Sequence, residues 1–423
     1  MNRPEYYLWY RPLDKRYYME CKDEYDGFAI SAHMLTHFAN SFSVFQSSMN
    51  KPYFIDPETA AFQNVDISRF LNSKGGVRIS WKKLGKHYGS VVMGALENRV
   101  RLRTTDFLNH DNSFKPNVQE LTARVLSFQT SLIKKTVSGL SLFFKEKPQE
   151  KMGLQFVVAP YFFFDSLSDP WYRISLEMAR RAVKLKGEYP VFATLCTTRQ
   201  FLAKDENIKT VVKDFDFNGL DGFLIWIDNM KEEDEETALF GNILKLVKYL
   251  SSNTRKVINL YGGYFSILAF FWGMSAHVSG VCYRDSRSFS ELPIYGGPPG
   301  GPVPRYYIPR FRTKVPLDDA IRLLQQFPEL KCDCDICSGN VTAYAPDTER
   351  SFARFIMNKH FLCCRKRERE ETIDANSNKL FEALNGEFTR YKKFEEILPI
   401  SHLARWYSAI QDNASLYKHK SQA

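Results

Sequence analysis

LQFVVAPYFFF (154–164), DPWYRISLEMARRAVKLK (169–186) and YPVFATLC (189–196) follow one another as apolar run, helix-like stretch and apolar run. The outer two are apolar at nearly every position, the pattern of a parallel strand covered on both faces. The unit then repeats: DGFLIWID (221–228), EEDEETALFGNILKLVKYL (232–250), KVINLY (256–261) and finally SGVCY (279–283). Upstream, PYFID (52–56) precedes the helix-like NVQELTARVLSFQTSLIKK (117–135). Strand–helix alternation over about 250 residues predicts an α/β fold, closed as a TIM-type (β/α)8 barrel, with an open doubly wound sheet as its rival. Neither G-x-G-x-x-G nor G-x-x-x-x-G-K-[ST] occurs, which argues against dinucleotide and P-loop chemistry. GGPPGGPVP (296–304) can be neither helix nor central strand and is read as a loop after the last barrel strand.

Beyond that loop stands KCDCDIC (331–337), and 22 intervening residues separate Cys337 from His360 in MNKHFL. Cys332, Cys334, Cys337 and His360 match the Cys₃His set of a closed structural zinc site. Cys363 and Cys364 lie near enough to compete with His360 for the fourth position. The chain thus divides into an unassigned Tyr-rich segment (1–50), a barrel domain (51–320), a zinc-binding subdomain (321–400) and a tail (401–423). RKREREE (365–371) reads as an exposed helix face.

Composition is that of an ordinary folded protein, 44% hydrophobic and 25% charged. The eight cysteines follow no disulfide spacing, which suggests a reducing, cytoplasmic setting. The N-terminus lacks the apolar core of a signal peptide. Tyr261–Tyr283 is uncharged and long enough to span a bilayer, but its four glycines, His277 and serines read better as loop, buried helix, turn and strand. Lys and Arg exceed Asp and Glu by ten, 58 against 48, a surplus that favours a polyanionic partner, nucleic acid first.

A barrel of this length with C-x-C-x₂-C…H near its end resembles the tRNA-guanine transglycosylase superfamily. FIDPETAAFQ (54–63) is similar to a degenerate form of the family's first catalytic motif, which implies Asp56 as general acid/base. The family's nucleophilic aspartate falls in VSGVCYRDSRSF (278–289), on Cys282 when aligned without gaps; the nearest carboxylate, Asp285, inherits the role. The base-recognising aspartate best matches Asp165, with Asp228 in FLIWIDNM (223–230) as a spare carboxylate. The departures from the tRNA enzymes favour the branch that inserts 7-deazaguanines into DNA; an enzyme acting on tRNA and a non-catalytic nucleic-acid-binding paralogue are the alternatives. The resemblance implies a structural zinc ion, a 7-deazaguanine base as small-molecule substrate, and partner proteins of a DNA-modification system.

Base exchange breaks an N-glycosidic bond without losing the sugar. One carboxylate attacks the anomeric carbon and a second handles the protons of the leaving and entering bases. Arg284, Arg287, Arg305, Arg310, Arg312 and Lys314 are expected to contact phosphates, with Tyr306, Tyr307 and Phe311 stacking on bases flipped from the duplex.

Overall fold

The computed structural model describes residues 3–140, 153–283, 285–293, 303–338, 349–374 and 377–416. Nine strands form one sheet: β1 (Glu5–Trp9), β2 (Gly27–Ser31), β3 (Tyr53–Asp56), β4 (Val157–Val158), β5 (Phe163–Phe164), β6 (Val191–Thr197), β7 (Gly222–Ile227), β8 (Lys256–Asn259) and β9 (Met274–Ser279). Eight run in the order β3-β2-β1-β9-β8-β7-β6-β4, and β5 pairs with β6. The pairings are parallel. A bridge between Tyr53 and Leu154 brings the two ends together, so the sheet is a nearly closed parallel α/β barrel.

Alternation along the strands sorts side chains into lumen and outer layer. Tyr7 packs edge-on to Phe54, Phe54 stacks on Phe156, and Phe156 stacks on Phe192 at 3.8 Å, filling the lower lumen with rings. That filling demands glycine on neighbouring strands: a Cβ on Gly222 would lie 2.5 Å from the Phe192 ring. Outside, helices such as Pro170–Leu185 cover the strands. Asp169 starts this helix by accepting a hydrogen bond from Trp171 N at 3.0 Å, with Pro170 in the first turn.

The expected strands at 52–56, 189–196, 221–228 and 256–261 match β3, β6, β7 and β8. The run 154–164 yields two short strands instead of one. The last strand is Met274–Ser279, not 279–283: Gly273, at φ 113°, turns the chain into it, and Cys282, at φ 60°, lies in the turn beyond. Residues 3–50 belong to the barrel wall, supplying β1 and β2. Within the expected tail, His402–Asp412 is a helix whose Trp406 is buried and donates to Glu232 O at 3.0 Å. Among the described residues no helix is long and apolar enough to cross a membrane.

An antiparallel hairpin, β10 (Arg305–Ile308) and β11 (Thr313–Pro316), packs on the long helix Arg350–Asp374, whose Arg369 lies over the Tyr6 ring of β1. Most of the loop 296–304 falls outside the described residues.

Candidate active site at the barrel mouth

The C-terminal strand ends carry an acidic cluster. Asp56 closes β3 on the lumen side, in register with Ser31 of β2. Its Oδ1 accepts hydrogen bonds from Tyr161 OH at 2.8 Å and from Glu58 N at 3.0 Å, a tight turn over Pro57. That turn holds Glu58 in the left-handed region, φ 52°, where a side-chain-bearing residue is strained. Glu58 Oε2 meets His33 Nδ1 at 2.5 Å, and Oε1 lies 3.5 Å from the Arg287 guanidinium. Arg287 also donates to Tyr261 OH at 2.6 Å. Asp56 and Glu58 are 1% and 2% exposed. Among the described residues Asp56 Oδ2 and Arg287 Nε have no hydrogen-bond partner.

Two carboxylates this close in a desolvated place cannot both ionise freely. Burial, then the charge of Glu58, pushes the Asp56 pKa up to about 6. Burial opposes ionisation of Glu58 as well, but His33 and then Arg287 pull its pKa below the usual range. Such a split would suit Asp56 to carry a proton and Glu58 to keep its charge.

Asp228 joins the mouth from β7. Its Oδ1 accepts from Phe289 N at 2.5 Å, and its side chain is half-buried. It and Asp56 both bear on Cys196 in the lumen. The segment 287–292 ties the site together: Arg287 O accepts from Trp226 Nε1 and Asn229 N, Phe289 stacks on Phe163 at 4.4 Å, and Asn64 donates to the carbonyls of Phe289, Ser290 and Leu292.

The other expected residues lie elsewhere. Asp285 pairs with Lys314 of β11, and its charge bears on Tyr6, Cys282 and Arg365, neighbours of the outer layer. Cys282, the position of ungapped alignment, is likewise turned outward, toward Met357 O of the long helix. Asp165 is exposed on the bend after β5. Arg287 faces the carboxylates instead of solvent. Arg310 binds Glu387, Arg312 binds Glu368 and Glu371, and Lys314 binds Asp285; Arg305 is exposed at the start of the hairpin. Arg284 lies outside the described residues. Tyr306, Tyr307 and Phe311 are fully buried, so none offers a ring to a base. In RKREREE, Arg365, Glu368 and Arg369 are buried against the barrel, contrary to an exposed face, because acidic and aromatic partners wait there.

Sequence reading passed over Glu58, His33, Tyr161 and Tyr261. Glu58 had a signal, a second carboxylate two residues after Asp56 in FIDPETAAFQ.

Cys332, Cys334, Cys337 and His360 converge, their ligand atoms within 4.8 Å of one another, and could hold a metal ion. His360 Nδ1 lies 3.4 Å from Cys334 Sγ and 3.2 Å from Cys337 Sγ. A tetrahedral ion with arms of about 2.1–2.3 Å sets its ligand atoms roughly 3.5–3.8 Å apart, close to these spacings. His360 Nε2 is occupied by Tyr307 O at 2.7 Å, which leaves Nδ1 to point at the sulfurs, the usual second partner of a ligating histidine. Tyr306 stacks on the same ring at 4.5 Å, and its OH accepts from Cys332 N. Cys364 Sγ stands 3.5 Å from Nδ1, but burial drives its thiol pKa well up, whereas the sulfurs of Cys332 and then Cys337 draw the Cys334 thiol far down.

No family model matches the sequence. No curated protein matches it either. Among solved structures, the intracellular xylanase of Thermoanaerobacterium saccharolyticum superposes with a TM-score of 0.35 and 8% identity, covering 71% of this chain and 90% of the xylanase. A mutant of that xylanase in complex with xylotetraose gives 0.32 and 10%, covering 70% and 89%. At those scores the likeness bears on neither chemistry nor substrate.

Proposed function

We propose that the protein exchanges a base in nucleic acid, replacing guanine in DNA with a 7-deazaguanine, on a (β/α)8 barrel with a zinc-bearing C-terminal subdomain. The observation that carries this reading is the carboxylate arrangement at the mouth: Asp56 with its pKa near 6 and a free oxygen, and Asp228 at the end of another strand. In this reading Asp228 replaces Asp285 as the attacking group, because Asp285 is held by Lys314 outside the lumen. The Asp228 carboxylate bonds to the sugar C1′ as the bond to guanine N9 breaks, while Asp56 gives its proton to the departing base. The entering deazaguanine loses its proton to Asp56 and displaces Asp228, which restores both groups. Arg287, whose Nε has no partner among the described residues, would hold a purine edge. Cys332, Cys334, Cys337 and His360 would hold the zinc ion, which supplies structure only, since four protein ligands leave no position for water.

The test is release of labelled guanine from DNA and from tRNA, with 7-deazaguanine bases as acceptors. Asp228→Asn should abolish release and any trapped covalent adduct; Asp56→Asn should slow turnover while permitting some adduct. Undiminished release by Asp228→Asn would sink the assignment. Complete absence of release from either polymer would favour a non-catalytic nucleic-acid-binding protein, a reading supported by the cysteine at 282 where the family's nucleophile aligns.

A further inference from the structure

Of the cations expected to grip phosphates, four are engaged: Arg287, Arg310, Arg312 and Lys314 each have an acidic partner. The chain's positive surplus resides elsewhere. Between residues 71 and 105 stand eight Lys or Arg against one acidic residue, Glu97, a surplus of seven out of the net +10. Lys74, Lys82, Lys83, Lys86, Arg99 and Arg101 are all exposed, and among the described residues none of the six takes part in an ion pair. The exposed apolar side chains Ile79 and Val100 lie among them, 64% and 41% exposed.

This segment follows the C-terminal end of β3, so it belongs to the mouth face of the barrel. Helix Ile79–Tyr88 has two faces with separate tasks. Its buried face carries Trp81, Leu84 and Tyr88. Trp81 stacks on His33 at 4.8 Å, the histidine that holds Glu58, and Tyr88 OH donates to Pro57 O at 2.7 Å. Its outer face carries Lys82, Lys83 and Lys86, two of them one turn apart. A polymer bound along those lysines therefore lies one helix thickness from the carboxylates.

We infer that this basic segment, centred on helix Ile79–Tyr88, is the seat of the DNA phosphate backbone. The inference rests on the reading that a nucleic acid is the substrate and says where the polymer lies. Unpaired, exposed cations release counterions when they meet phosphates, whereas cations already neutralised by carboxylates add little. The buried ring face fixes the helix, so the lysines are presented without loss of backbone order. Ile79 and Val100 would meet the sugar edges.

Binding of a labelled DNA duplex to the full chain, followed by fluorescence anisotropy across a salt series, tests this. The triple variant Lys82→Gln, Lys83→Gln, Lys86→Gln should bind at least about tenfold more weakly near physiological salt, with the slope of log affinity against log salt reduced by about three, roughly one per lost phosphate contact. Arg310→Ala should match the parent, because Glu387 already neutralises it. The lysines are exposed, so an unchanged melting curve verifies folding of the variant. Parental affinity and slope in the triple variant would overturn the inference. So would a marked preference for tRNA over DNA, or for phosphatidylserine vesicles over either. Failure of the proposed chemistry reads differently: DNA bound through these lysines with no guanine released leaves the seat intact and refutes the enzyme.

Discussion

The barrel mouth and the layer under helix Arg350–Asp374 both bury charge, and they balance it differently. In the outer layer acids and bases match. Glu368 takes Arg312 at 2.9 Å and Arg365 at 2.7 Å, Glu371 takes Arg312 at 3.3 Å, and Arg369 takes Asp26. Tyr307 OH completes Glu368 at 2.5 Å. At the mouth, Asp56 and Glu58 share one guanidinium and one imidazole. A matched network holds surfaces in register; an unmatched one leaves a proton whose position depends on pH. The same residue types thus act as scaffold in one region and as candidate chemistry in the other.

The heaviest blow to the outer layer should be loss of a residue of the candidate metal cluster. Cys334→Ser should reduce bound zinc from about one per chain to near none and melt the C-terminal helices early, since ligand binding and folding are coupled. Metal analysis with a thermal melt reads both, and Cys364→Ser should retain the ion. If Cys334→Ser melts like the parent, the cluster is not what anchors that layer.

Next comes Glu368→Gln. Arg312 and Arg365 would remain buried facing a neutral amide, which costs about 3–5 kcal/mol for a broken buried pair. Urea unfolding measures it. A change below about 1 kcal/mol would mean the network is wetter than its burial implies.

Asp56→Asn should act in the opposite sense. A carboxyl whose folded pKa is raised binds its proton more tightly folded than unfolded, so stability falls as pH rises from about 4 through about 6. Above that window the ionised group is a standing cost, on the order of 3 kcal/mol for a rise of roughly two units. The variant lacks it, and should be more stable than the parent at neutral pH and equal to it near pH 4. Parallel stability–pH curves for the two proteins would break the contrast drawn between mouth and outer layer.

The smallest effect belongs to Arg310→Ala. Its pair with Glu387 is at the surface, 41% and 28% exposed, and such pairs contribute less than about 1 kcal/mol. A larger loss in urea unfolding would place Arg310 with the buried network.

Asp285 and Arg287 show where sequence reading ends. They stand two residues apart in one loop, yet one is taken outward by Lys314 and the other inward by Tyr261 and Glu58. Nothing local separates them. Arg310 and Arg312 were expected on phosphates as part of a basic, aromatic stretch near Asp285 in sequence; the acids that neutralise them lie 77, 56 and 59 residues further on. The charge window at 71–105, by contrast, was countable from the chain, since a surplus of seven cannot be neutralised within it.

Local chemistry alone determined the alternation of strand and helix, because apolar runs and helical segments act within one element. It also grouped the three sulfurs of the candidate metal cluster, because C-x-C-x₂-C brings them together wherever the loop lies; His360 joins them only through the fold. It could not determine that residues 3–50 complete the wall, since β1 finds its partner β9 some 270 positions away. Nor could it say which charges remain free. Whether an arginine reads as scaffold or as ligand depends on which carboxylate folding sets beside it, and only tertiary structure makes that choice.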